Sequence, residues 1–156
     1  MKNYQMKINI ALEHLLQTRK NMIQLLDRHE SKATVTPTGY NNSLLWNAAH
    51  CAVTMQLLVY KLSGNNMSVS DELINLYRKG TKALEKDVTS ISSIKELLLS
   101  SVTQLQADYD KGLFTSYSEY PTSYGITLNS VEDAILFNNS HEALHFGYMM
   151  AMCKQL

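Results

Sequence analysis

From Leu44 to Leu62 the chain presents apolar side chains over most of a helix's circumference. Leu44, Ala48, Cys51, Met55, Leu58 and Leu62 recur as one stripe, and Trp46, Asn47, His50, Val53 and Leu57 form a second beside it. Beyond Asn47 and His50, only Thr54, Gln56 and Lys61 interrupt the run. A helix of that kind has almost no solvent face, so other elements must surround it. The rest of the chain supplies them. A first helix is predicted from about Lys7 to His29, with Ile8, Leu12, Leu15, Met22 and Leu26 on a broad apolar stripe. Ser93-Ile94-Lys95-Glu96 reads as a capping box opening a third long helix that ends near Lys111-Gly112. Ser130 reads as the N-cap of a fourth, periodic from Val131 to Met152, with Asp133 at the capping-box position. A short helix from Ser70 to about Lys79 falls in the long connection between the second and third helices. The expected fold class is all-α: a four-helix bundle, with the whole chain 1–156 as one domain.

Polar or Pro- and Gly-bearing segments separate these helices. Residues 31–40 read as loop, because β-branched residues, Pro37 and Gly39 each disfavour helix. Ser63-Gly64-Asn65-Asn66 ends the second helix by turn chemistry. The ten residues after Gly80-Thr81 are polar and poorly periodic, and read as loop with room for one helical turn. Residues 113–129 are long for a bundle connection, with Phe114, Tyr117, Tyr120 and Tyr124 set among Ser and Thr. Two readings stand for that segment: a cover over one end of the bundle, or an Ω-loop packed on its own aromatics.

Charge narrows the partners. Lys plus Arg and Asp plus Glu are both 14, for a formal net charge of +0, and no basic cluster points to nucleic acid. Near-neutrality also removes one barrier to self-association. No stretch approaches the roughly 18 unbroken apolar residues of a membrane span. The first residues lead into an amphipathic pattern rather than an apolar leader, and two cysteines make no disulfide framework, so a cytoplasmic setting is expected.

The last helix carries His141-Glu142-Ala143-Leu144-His145. Histidines four apart on a helix sit about 40° apart around the axis and roughly 6 Å apart along it, on one face. Such a pair is either two hydrogen-bonded core residues or two ligands of one metal ion. The letters match the H-E-x-x-H of zinc proteases, but that layout draws its third ligand from downstream. None of the eleven residues after His145 is His, Asp or Glu, so any further ligand must come from earlier in the chain. His50, on the buried second helix, is the candidate: three His with an open position is the ligand count of a catalytic zinc site. Cys51, one residue on and about 100° around, is expected to be a small core side chain. His14 and His29 lie off their helix's apolar stripe and read as surface residues.

Asn41-Asn42-Ser43-Leu44-Leu45-Trp46-Asn47-Ala48-Ala49-His50 and His141-Glu142-Ala143-Leu144-His145-Phe146-Gly147, joined to four long helices, resemble the DinB-like (DinB/YfiT) superfamily. The resemblance covers nearly the whole chain. It implies a four-helix bundle holding a divalent metal, zinc or nickel, through one His on the second helix and a His-x-x-x-His pair on the fourth. It also implies a homodimer. Activities assigned in the wider superfamily include thiol transfer and isomerisation with low-molecular-weight thiols, and many members have no known reaction. Fold and metal therefore carry over further than chemistry.

The chemistry expected here is metal-dependent transfer to or from a thiol, or hydrolysis, on a small molecule. Glu142 is the nearest acid and the candidate catalytic group, or else it orients a ligand. Asn47 and Asn138, each one turn before a histidine, are candidate site-lining groups, with Trp46 and Tyr40 beside them. The alternative is a non-catalytic metal-binding or dimerisation module.

Overall fold

The computed structural model describes residues 2–84 and 89–156, with backbone only for residues 2–5. Four long helices dominate: α1 (Lys2–Arg28), α2 (Leu44–Met55, continued by π-type turns over Gln56–Lys61), α4 (Ile91–Asp110) and α5 (Val131–Met152). The short α3 (Asp71–Tyr77) lies in the connection between α2 and α4. The bundle is held by α1 against α4 and α5 and by α2 against the same two, with α3 resting on α2. The fold class is the all-α bundle expected from the periodicity.

Burial follows the apolar pattern. Every residue of α2 from Leu44 to Val53 is buried, as a helix apolar on all sides requires. One core cluster gathers Met22, Leu26, Leu45, Ala49, Leu98 and Met152, and a second gathers Ile8, Leu12, Met55, Val59, Leu105 and Ile135. Ser43 and Ser130 cap α2 and α5 by accepting from the N–H groups of Trp46 and Asp133. The Asp133 carboxylate reaches back to the N–H of Asn129, one residue before the cap.

Several boundaries differ from the sequence reading. Helix α1 begins at Lys2, five residues before the predicted start. The second helix does not stay α-helical to Leu62: it widens after Met55, where the Gln56 side chain turns out to accept from the Ser68 N–H. Helix α4 starts at Ile91 with Ser90 at the N-cap, so the Ser93 capping box does not form. Ile91 packs on the core, which favours the extra turn. The loop expected after Gly80-Thr81 is seen over residues 81–84, and its stretch 85–88 lies outside the described residues.

Residues 113–129 are stitched to the far end of α2. Tyr117 Oη donates to the Leu58 carbonyl, Ser118 N–H to Leu62, and Ser116 Oγ to Ser63. The segment then folds into a two-stranded hairpin, β1 (Tyr120–Pro121) against β2 (Thr127–Leu128). Gly125, at φ +84°, makes the tight return that Cβ-bearing residues resist. No helix among the described residues is long and apolar enough to cross a membrane.

Candidate metal centre

Helix α2 brings His50, and helix α5 brings His141 and His145, to one point between them. One nitrogen from each ring lies within 4.8 Å of the other two. The ring centroids are 5.2 Å apart for His50 and His141, 4.8 Å for His50 and His145, and 4.6 Å for His141 and His145.

The rings are held from behind. The His50 Nδ1–H donates to the carbonyl of Tyr77 at 2.6 Å, so its Nε2 carries the lone pair, which accepts from Thr54 Oγ1 at 3.3 Å. The indole of Trp46 stacks on the same ring, centroids 4.7 Å apart and 9° from parallel. The Asn47 Oδ1 accepts from His145 Nδ1 at 2.8 Å, and its Nδ2 donates to the carbonyl of Ser43. That fixes the tautomer of His145 and leaves its Nε2 free. The Nδ1 of His141 is buried with no hydrogen-bond partner among the described residues.

Burial disfavours the imidazolium at all three. His141 and His145 are held down to about 3, chiefly by desolvation and then by the neighbouring imidazoles, and His50 is lowered mainly by burial. Three neutral imidazoles with a nitrogen each within 4.8 Å of the others, one with an orphaned nitrogen, form a donor set that could hold a divalent cation. Zinc–nitrogen bonds of about 2.1 Å place such donors roughly 3.4 Å from each other, a contraction within reach of side-chain rotation.

Glu142 points elsewhere. Its carboxylate is fully buried and pairs with Arg19 of α1: Nη2 to Oε1 at 2.7 Å and Nε to Oε2 at 3.0 Å. The remaining Arg19 nitrogen donates to the Leu98 carbonyl and Ser101 Oγ on α4. Asn138 belongs to this network rather than to the cavity, donating to Glu142 Oε1 at 2.9 Å. Arg19, which the sequence reading passed over, sits on α1 between Leu15 and Met22 in the buried stripe. A cation at that register was the signal for it.

The three histidines open onto a cavity of about 1060 Å³. Trp46 and Asn47 line it, as do Thr54, Phe137, Leu144 and Tyr148. Tyr40 does not line it; its ring packs edge-on against Tyr148, centroids 5.0 Å apart, at the border. Tyr120, Thr122 and Ser123 of the hairpin segment reach the cavity, so the long connection forms part of its wall. His14 is exposed and His29 half-buried, both apart from the cluster.

The sequence profile of the DinB superfamily matches residues 14–149, a span that includes all three histidines and all four long helices except the first turns of α1 and the last of α5. No curated protein sequence matches the chain. A profile match over most of the length, on an all-helical bundle, makes this chain a member of the DinB superfamily.

Proposed function

We propose that the protein is a metal-dependent enzyme acting on a small molecule in the cytoplasm, with zinc or nickel held by His50, His141 and His145. The observation that carries this reading is the convergence of three neutral imidazoles from two helices on the wall of a large cavity. Three protein ligands leave coordination positions for a substrate, as catalytic sites require. A bound divalent ion would supply Lewis acidity and would favour the thiolate of a low-molecular-weight thiol, which makes thiol S-transfer or hydrolysis the chemistry best matched to the site.

The chain's own groups have definable tasks. Tyr77 and Asn47 accept the Nδ1 protons of His50 and His145, aiming the opposite nitrogens at the centre. Trp46 covers one face of His50 and keeps water from it. Thr54, on the cavity wall, has its hydroxyl on the His50 Nε2 lone pair and would turn away for a cation to bind there. The proposed catalytic part for Glu142 gives way to its alternative, orientation. Buried beside His141 and neutralised by Arg19, it fixes the helix that carries two ligands.

Self-association as a homodimer is part of the proposal. The outward face of α5 carries Leu136, Ala143, Met150 and Ala151 exposed and without a charge. Exposed apolar side chains gathered on one helix face offer a surface for a second copy of the chain, and sedimentation of a monomer alone would remove the dimer from the reading. The second reading, a metal-binding module without turnover, draws on the absence of any carboxylate among the described cavity residues to act as general base.

Metal analysis of purified protein tests the centre: one equivalent of zinc or nickel is expected, lost in His50→Ala. Full occupancy in that variant would sink the two-helix site. Turnover of small electrophiles with added thiols, dependent on the metal, separates the enzyme from the module.

A further inference from the structure

We propose that the ligand of this cavity is an anion: a molecule with an apolar body whose carboxylate, phosphate or sulfonate end is met by Lys61, Lys79 and Lys82. The claim that this anion is a substrate rests on the metal centre proposed above; the claim that the cavity selects anions does not.

The lining has a one-sided charge. Lys61, Lys79 and Lys82, all solvent-exposed, border the cavity, and no Asp or Glu does among the described residues; Asp71 borders the adjoining cleft that Lys61 and Lys79 share. The chain as a whole has as many acids as bases, so composition does not explain the lack of acids among the described wall residues. None of the three lysines is in an ion pair among the described residues. Lys79 lies near enough to His50 for its charge to be felt there.

Two of the cations sit on a built turn. Thr81 Oγ1 accepts from the Trp46 indole at 3.1 Å and donates to the Leu76 carbonyl at 2.8 Å. The Ala83 N–H donates to Asn42 Oδ1 at 3.0 Å, and Gly80 at φ +90° allows the reversal. Residues 79 and 82 are thereby fixed beside the indole that covers His50. Lys61 comes from another element, at the end of the π-type turns of α2, and also borders the adjoining cleft with Lys79. Those turns also place Leu57, Leu58 and Leu62 on the wall, with Phe137 across from them on α5. Like charges bordering one void repel each other, screened by the water that reaches them, and an anion in the void relieves that repulsion. The leucines and Phe137 remove an apolar body from water.

The test compares charged and neutral probes on wild type and on Lys61→Met/Lys79→Met/Lys82→Met. On metal-free protein the dyes are 8-anilinonaphthalene-1-sulfonate and neutral N-phenyl-1-naphthylamine, read by fluorescence. On zinc-loaded protein the ligands are 6-mercaptohexanoate and 6-mercaptohexanamide, read by calorimetry. The affinity ratio of anion to neutral partner is expected to fall about tenfold in the triple variant, and the wild-type ratio to shrink at about 0.5 M salt. An unchanged ratio with both pairs overturns the proposal. If the protein holds no zinc, the thiol arm is silent and the metal reading fails, while the dyes still decide the question of the anion.

Discussion

Asn47 joins two helices through one side chain, accepting from His145 on α5 while donating to the Ser43 carbonyl that starts its own helix. Replacing it by Leu leaves the His145 Nδ1–H without its acceptor. Loss of such an orienting partner weakens metal affinity about 10- to 100-fold. Competition with a chromophoric chelator measures this in Asn47→Leu, and an unchanged affinity would make the hydrogen bond incidental. Asn47 was legible in the sequence because it stands one turn before His50 on a helix with no solvent face. Asn138 carried the same pattern relative to His141 and went elsewhere. It stands one turn before Glu142 as well, and a helix seen alone does not reveal which neighbour each face meets. The Tyr77 carbonyl behind His50 left no trace in the sequence, since any residue type offers that oxygen.

Among the elements, α5 carries two faces with opposite assignments. One presents His141 and His145 to α2, and the other sends Glu142 to Arg19 and, through Arg19, to α4. Both ions of the pair are fully buried. Removing one partner of such a pair costs about 3–5 kcal/mol, because the other charge is left uncompensated, whereas apolar replacement of both is often nearly neutral. Arg19→Met is therefore expected to lower unfolding stability in urea by about that amount, and Arg19→Met/Glu142→Leu to recover most of it. If the double variant is as unstable as the single, the network's remaining hydrogen bonds matter more than its charge. Helix existence was legible from period and caps, but this pairing was not. Residues 19 and 142 are 123 apart, and the sequence marks only that a cation interrupts an apolar stripe. The Ser93 box failed for a related reason: a local capping pattern lost to the packing of half-buried Ile91 two residues earlier.

For the whole molecule, the buried titratable groups bracket a pH range. His141 and His145 have folded values near 3 against 6.5 in the unfolded chain. Between those values the unfolded chain binds protons that the fold excludes, so stability rises with pH. The metal-free protein should thus be fully stabilised above pH 6.5 and should weaken as pH falls toward 3. At the alkaline end burial pushes the Tyr117 hydroxyl up to about 12 from 10.0, and Tyr60, bonded to Asp108, moves the same way. Their contribution is complete below pH 10.0 and is lost as pH rises through the folded values. Urea unfolding across this range should show a plateau with two falling limbs, and a flat acid limb would mean that the histidines are hydrated. A bound ion adds stability by mass action, about 2.7 kcal/mol when free metal stands at 100 times Kd. Because its ligands come from both α2 and α5, that increment ties the two helices together. A strong chelator should therefore lower the unfolding midpoint of wild type at pH 7 and leave that of His50→Ala unmoved. Equal sensitivity in the two proteins would place the metal on the α5 pair alone and leave α2 with a histidine that serves only its carbonyl.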